Sequence, residues 1–370
     1  MRLILAKVSL LVLVAGCAQP ERQPELDGTL LREEWIRVVD SLRVARQIPG
    51  LAIVALHDTT VVLARGLGLA DLASGRPVTP ETPFDLASVA KPIAGVVALQ
   101  LVEAGQLDLD RPMREFRDFP EFCSAAREAG GTFFQDFACE GNALTLRHLL
   151  SMTANGEEPG TRFWYNPPAF SWASRPMAEA GGQTYSALVD SLVFRPSGMV
   201  RSARRNRALP LPPGIDSILA VPYHRDSTGA MVRSAPPPPQ GDGAAGGVIA
   251  SAIDLARFDQ ALMQGRLLSS QRREELWRPM PLEAGAVAPY GLGWFLGRYR
   301  DRRVVWHTGL WEDRYSALYL KVLGERAADR YTLILLANSD GLRWPTNLDE
   351  AAIDRSPFAV HFLDAVLPAR

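Results

Sequence analysis

Lysine is almost missing from this chain. Of 40 basic residues only Lys7, Lys91 and Lys321 are lysines, which leaves 37 arginines. Cysteine is nearly as scarce, with Cys17, Cys123 and Cys139 alone. The five histidines stand singly, and no C-x-x-C or H-E-x-x-H spacing occurs, so the chain shows no metal signature and implies no cofactor. Charge of one sign is also lacking: a net charge of −1 gives no basic footprint and argues against a nucleic-acid partner. No apolar run reaches the roughly 20 residues that a spanning helix needs. No internal repeat is visible.

One shorter apolar run is informative. "MRLILAKVSLLVLVAGC" sets Arg2 and Lys7 around the start of a stretch too short to span a bilayer and shaped like a secretory signal. It ends in Val14-Ala15-Gly16-Cys17, which resembles a bacterial lipobox, with Cys17 as the lipidated residue of the mature protein. The alternative is cleavage at another small residue. A lipid anchor holds because each buried CH₂ contributes about 0.8 kcal/mol and two or more chains make attachment stable. Residues 1–16 are thus read as a lipoprotein signal peptide and 17–29 as a polar tether. The protein is expected on the periplasmic face of a membrane, the outer membrane being favoured by Ala18, with the anchor its only membrane contact. In that oxidising compartment Cys123 and Cys139 are expected to form a disulfide, two buried thiols being the alternative.

Residues 30–370 read as one folded domain. "LLREEWIRVVDSLRVARQ" has helical spacing, and "LAIVAL" and "TVVLARG" follow as two strands across a short turn. The C-terminal third returns to strands in "GLGWFLG", "RVVWHTG", "YSALYLK" and "YTLILLAN", with a closing helix at about 347–365 interrupted by Pro357. Between them lie helices and Pro/Gly loops. "SVAKPIAGVVALQLVEAG" is a helix closed by Gly105, and "SAIDLARFDQALMQG" one started by Ser251 and Asp254 and closed by Gly265. "PEFCSAAREAGGTFFQDFACEGN" reads as a loop excursion and "LTLRHLLSM" as a short helix. The fold class is α+β: an antiparallel sheet flanked by helices. Its sheet lobe comprises about 30–66 and 246–370, with a helical lobe, about 67–245, inserted.

The kept lysine has a chemical reading. In "DLASVAKPIAG" Ser88 precedes Lys91 by three residues, so on a helix both lie on one face. Pro92 fits a first helical turn, where free N–H groups and the helix dipole favour a developing anion. A serine hydroxyl needs a base to become a nucleophile. Lysine can serve if its pKa falls from about 10.4 towards 7, a shift of about 4 kcal/mol. Arginine cannot deprotonate in a protein, so it cannot replace lysine in this task.

On these residues the chain resembles the serine β-lactamase and penicillin-binding-protein family, most closely the class C-like branch that includes D-alanyl-D-alanine carboxypeptidases, D-amino-acid peptidases and esterases. "PFDLASVAKPIAGVVALQLVEAGQLDLDRPM", "LTLRHLLSMTANG", "AAGGVIASAIDLARF" and "YGLGWFLG" match its segments in order over about 31–365. The resemblance implies Ser88 as acylated nucleophile, Lys91 as its partner and Tyr165, in "FWYNPPAF", as proton shuttle. Where the family has an amide-binding asparagine this chain has Pro167, with Asn166 one residue early as the substitute donor. His307-Thr308-Gly309 takes the place of Lys-Thr-Gly, and Leu310 just after it is expected to complete an oxyanion hole with the N–H of Ser88. A histidine is largely neutral near pH 7 where lysine is a full cation, which weakens the case for a β-lactam carboxylate.

The expected activity is therefore that of a lipid-anchored serine hydrolase working through a Ser88 acyl-enzyme on an ester, a D-amino-acid peptide or amide, or a β-lactam-like substrate, with esterase or peptidase action favoured. The substrate is expected to be a small molecule or a peptidoglycan-derived fragment, and the protein a monomer. The alternative, favoured by Pro167, is a cell-wall-binding or sensor lipoprotein that keeps the fold without turnover.

Overall fold

A computed structural model describes residues 30–129, 143–156, 158–343 and 351–367. Cys17, the signal and the tether lie outside the described residues, as does Cys139; Cys123 is disulfide-bonded.

The strands are β1 (Gly50–His57), β2 (Thr60–Asp71), β3 (Arg76–Pro77), β4 (Pro83–Asp85), β5 (Ala203–Arg204), β6 (Tyr223–Arg225), β7 (Met231–Arg233), β8 (Val248–Ser251), β9 (Phe295–Tyr299), β10 (Arg302–Trp311), β11 (Tyr315–Leu323) and β12 (Tyr331–Ala337). Seven form one sheet in the order β3-β2-β1-β12-β11-β10-β9. Its N-terminal and C-terminal halves join where β1 runs antiparallel to β12, Leu51 opposite Ala337 and His57 opposite Tyr331. The sheet is thus built from both ends of the chain, as its reading predicts. β1 and β12 are apolar almost without interruption because both faces are covered, and the helix Ala252–Met263 packs on them. Helix α1 (Leu30–Ala45) packs on the C-terminal helix Pro357–Val366, with Trp35 stacked on His361 at 5.8 Å.

A second, three-stranded sheet, β4-β8-β5, decides where the site lies. It pairs the segment that enters the helical lobe with the one that leaves it, Phe84 opposite Ala250. Helix α2 (Ala90–Glu103) starts directly beyond β4. Eleven of its residues, Ala90 to Leu99 and Leu101, are buried, so α2 is a central helix rather than an amphipathic one. Gly293, at φ +82°, lets the 290–293 turn meet it: a Cβ there would stand 2.3 Å from the Lys91 carbonyl oxygen.

Two expectations need correction. The segment read as a loop excursion begins with a helix, Phe119–Ala129, whose apolar Phe122, Cys123 and Ala126 share one buried face at helical spacing. Pro357 does not interrupt the last helix but opens it, at the position after the Ser356 N-cap, whose side chain accepts from the Ala359 N–H. The short strands β3 to β8 escape a reading by periodicity because two to four residues cannot display one.

Candidate active site

The nucleophile stands on a turn between β4 and α2. Ala87 has φ +46°, a left-handed conformation that is unfavourable for an L-residue with a Cβ. Asp85 holds it there: its Oδ1 accepts the Ala87 N–H at 2.9 Å and the Trp311 indole N–H at 3.1 Å, while Oδ2 accepts from Arg205 at 2.8 Å. Burial pushes the Asp85 carboxyl up, and the Arg205 charge opposes that. The turn leaves Ser88 partly exposed, the one residue from Thr82 to Leu99 that is not buried. A covered chain thus opens to solvent at one side chain.

Lys91 follows one turn later and is fully buried. Its Nζ lies 2.7 Å from Ser88 Oγ and donates to the Ala245 carbonyl at 3.0 Å. The rings of Tyr165 and Phe170 have their centroids 5.4 and 5.5 Å from the same nitrogen. Removal from water lowers the Lys91 pKa to about 7. Near neutrality the amine is substantially uncharged. With one N–H given to Ala245, its lone pair can accept the Ser88 proton.

β10 lies along the other side of the turn. It pairs with β9 only from Arg302 to Trp306, so the 307–311 stretch has no strand on that edge and runs beside the nucleophile turn instead. Gly309 makes the approach possible, since a Cβ there would stand 2.1 Å from the Leu86 carbonyl oxygen. Thr308 and Leu310 flank it, both half-buried. The structure brings Ser88, Lys91, Tyr165 and the 307–310 stretch to one place.

Two residues are placed otherwise than expected. His307 lies 6.0 Å from Tyr165 between ring centroids but has no exposed surface. Its Nδ1 is 2.7 Å from the Thr308 carbonyl, which can only accept, so Nδ1 carries the proton. Nε2 then accepts from the Tyr290 hydroxyl at 2.7 Å. Burial and the neighbouring Lys91 hold the His307 pKa well below its usual value. The ring is neutral and closed inside the protein, not turned to the cleft. Asn166 caps the helix Pro167–Trp172: its Oδ1 accepts from the Ala169 N–H at 2.9 Å, and Nδ2 donates to Asn155 Oδ1 at 2.7 Å. Pro167 is the first residue of that helix, where proline is favoured. The proline that breaks the expected Tyr-x-Asn pattern therefore has a local structural reason.

Sequence reasoning missed Asp85, Arg205, Trp311 and Tyr290. Asp85 had a signal, as the one charge in "TPFDLASVA" before Lys91; its partners lie 120 and 226 residues further on and had none. Among the described residues no group of three or more His, Cys, Asp or Glu could hold a metal ion.

A serine on a strained turn, a buried amine beside it and a strand edge across from it form an arrangement that can carry out acyl transfer. The beta-lactamase family model matches residues 35–355, and the chain belongs to that family. It is similar to penicillin-binding protein 4* of Bacillus subtilis, 26% identical over 78% of this chain and 68% of that protein. It is also similar to the esterase EstB of Burkholderia gladioli, 32% identical over 50% of this chain and 41% of that one. Among solved structures, a penicillin-binding protein homologue from Pyrococcus abyssi superposes with a TM-score of 0.70 at 20% identity, over 90% and 77% of the two chains. The D-amino acid amidase from Ochrobactrum anthropi SV3 gives 0.66 at 20%, over 88% and 98%.

Proposed function

We propose that the protein is an exported, lipid-anchored hydrolase that cleaves small acyl esters or D-amino-acid amides through a Ser88 acyl-enzyme. The observation that carries this reading is the 2.7 Å approach of a buried, substantially neutral Lys91 to a partly exposed Ser88. As Ser88 Oγ attacks the substrate carbonyl carbon, its proton passes to the Lys91 amine. The tetrahedral oxyanion is met by the N–H groups of Ser88 and Leu310, and such preorganised donors supply much of the stabilisation in acyl transfer. Tyr165 relays the proton to the leaving alcohol or amine. Water then attacks the acyl-enzyme with Lys91 again as base, releasing the acid and freeing Ser88.

The neutral, enclosed His307 supports esters and amides over β-lactams, since no cation stands at 307 to receive a carboxylate. The names borne by the similar esterase and amidase agree with that preference. Export and anchoring rest on the signal-like run and Cys17.

Intact-mass measurement after incubation with a fluorophosphonate should show one adduct, mapped to Ser88 and missing in Ser88→Ala; an unlabelled protein would support a binding lipoprotein instead. The kcat/KM for p-nitrophenyl acetate should exceed that for a chromogenic cephalosporin, and the reverse order would overturn the substrate preference. Membrane fractionation of Cys17→Ala should find the protein released from the membrane; retention would remove the anchor from the proposal.

A further inference from the structure

β5 ends in Arg204 and Arg205 follows it directly, and the side chains of these adjacent arginines reach the two halves of the Ser88–Lys91 pair. We propose that Arg204 and Arg205 are positioning residues that together hold nucleophile and base in register, Arg205 through Asp85 and the Ala87 turn, Arg204 through the loop that presents the Ala245 carbonyl to Lys91. The proposal rests on the serine-hydrolase reading of the site and explains how that site is held.

The arrangement follows from strand geometry. Successive side chains of an extended segment point to opposite sides, so the last residue of a short strand and the one just after it can serve two loops. The strand is pinned to β8 by the pairing of Arg204 with Val248, and the Arg205 N–H donates to the Gly247 carbonyl at 2.9 Å. Arg205 donates to Asp85 Oδ2 at 2.8 Å, which leaves Oδ1 for the Ala87 N–H. That bond fixes the left-handed Ala87, and the direction of the Ser88 side chain and N–H follows from it. Without a cation opposite, a buried carboxylate tends to take up a proton and turn from acceptor to donor, and its grip on the N–H weakens.

Arg204 acts on the other side. Its side chain, 2% exposed, donates to the Gly246 carbonyl, to the Gly243 carbonyl at 2.9 Å and to Asp242 Oδ1 at 3.1 Å. One rigid guanidinium thus fastens three points of the 242–246 loop, and Ala245, which holds the Lys91 amine, lies within that span. A compact ammonium cannot bridge all three, whereas it can supply the single contact and charge that Arg205 gives to Asp85. The two arginines therefore differ in what can replace them.

The test measures fluorophosphonate labelling of Ser88 and ester kinetics in Arg205→Met, Arg205→Lys, Arg204→Met and Arg204→Lys, each checked for folding by circular dichroism. Misplacement of a reacting group by about an ångström can lower rate about 100-fold, so both methionine variants should label 10- to 100-fold more slowly, with kcat falling and KM within about twofold. Arg205→Lys should recover to within about threefold of the parent, and Arg204→Lys should not. Asp85→Asn keeps an acceptor for Ala87 but loses the charge pair, and its loss should not add to that of Arg205→Met. Should Arg204→Met fail to fold, Asp242→Asn, which weakens the same loop, takes its place with a smaller expected loss. Parent labelling beside variants within twofold of it would overturn the clasp alone. A parent that does not label would overturn the hydrolase reading and the clasp with it. Variants that melt earlier but label normally would assign the arginines to stability only.

Discussion

Two lysines among the described residues are buried, and they live differently. Lys321, on β11, donates to Asp259 Oδ1 from the helix packed on the sheet and to Thr332 Oγ1 at 2.9 Å, while Tyr319 donates to the same carboxylate at 2.5 Å. Burial lowers its pKa, and Asp259 works against that lowering. Lys91 meets a serine, a carbonyl and two rings, and burial alone is the cause of its fall to about 7. Burial of an amine is thus common to both. What separates structural support from a base is whether a carboxylate faces the nitrogen. Lys321 has one and is held in an ion pair with it; Lys91 has none and gives up its proton near neutrality.

The comparison can be broken first at Lys91. Lys91→Arg sets a permanent cation in a buried site with no carboxylate opposite and cannot accept a proton, so acylation of Ser88 should fall by at least 10²- to 10⁴-fold, ~3–5 kcal/mol in barrier, and the melting temperature should fall as well. Single-turnover kinetics beside Ser88→Ala measure this, and a folded Lys91→Arg that keeps more than about a tenth of the parent rate would place the base elsewhere. Lys321→Met should lower stability alone. Removing one partner of a buried pair typically costs about 3–5 kcal/mol, because Asp259 stays behind uncompensated. Urea unfolding should show that loss while the folded fraction still labels at the parent rate.

Smaller effects sharpen the contrast. The folded Lys91 pKa lies below the unfolded value of about 10.4, so folding expels a proton between about pH 7 and 10.4. The burden on stability is full below pH 7 and fades as pH rises through that window. Lys91→Met should therefore stabilise the fold most at pH 6 and least above pH 10, with a swing on the order of 4 kcal/mol by chemical denaturation. A gain independent of pH would mean that Lys91 folds with its proton on. In the parent, acylation rate should rise with pH through about 7. The smallest effect belongs to Lys321→Met with Asp259→Leu, which removes both charges and should cost less than Lys321→Met alone, about 1–3 kcal/mol, because the buried Tyr319 and Thr332 hydroxyls lose their acceptor.

Much of this was legible in the sequence because it is local. The long strands are written in apolar runs, the Ala252–Met263 helix in Ser251 and Gly265, and the nucleophile and its base in the spacing of Ser88 and Lys91. Lys321 was silent, since its meaning lies in Asp259, 62 residues away. Asp85 was a charge in an apolar stretch with no visible partner. Asn166 and Pro167 were read as a broken binding motif, whereas three-dimensional context makes them a cap and the first residue of a helix. Chemistry between neighbours can be read along the chain, and chemistry between elements waits for the fold.

The pairing of β1 with β12 has a consequence in time. Leu51 meets Ala337 only when nearly the whole chain is available, and contacts so far apart in sequence form slowly. The surroundings that strip water from Lys91 come from late segments too: Ala245, and His307 on β10. A chain still being synthesised carries Ser88 and Lys91 early, but its lysine is hydrated and protonated, and its serine is inert. Reactivity switches on with the last strands, so the nascent protein is protected from its own nucleophile by the order in which it is made.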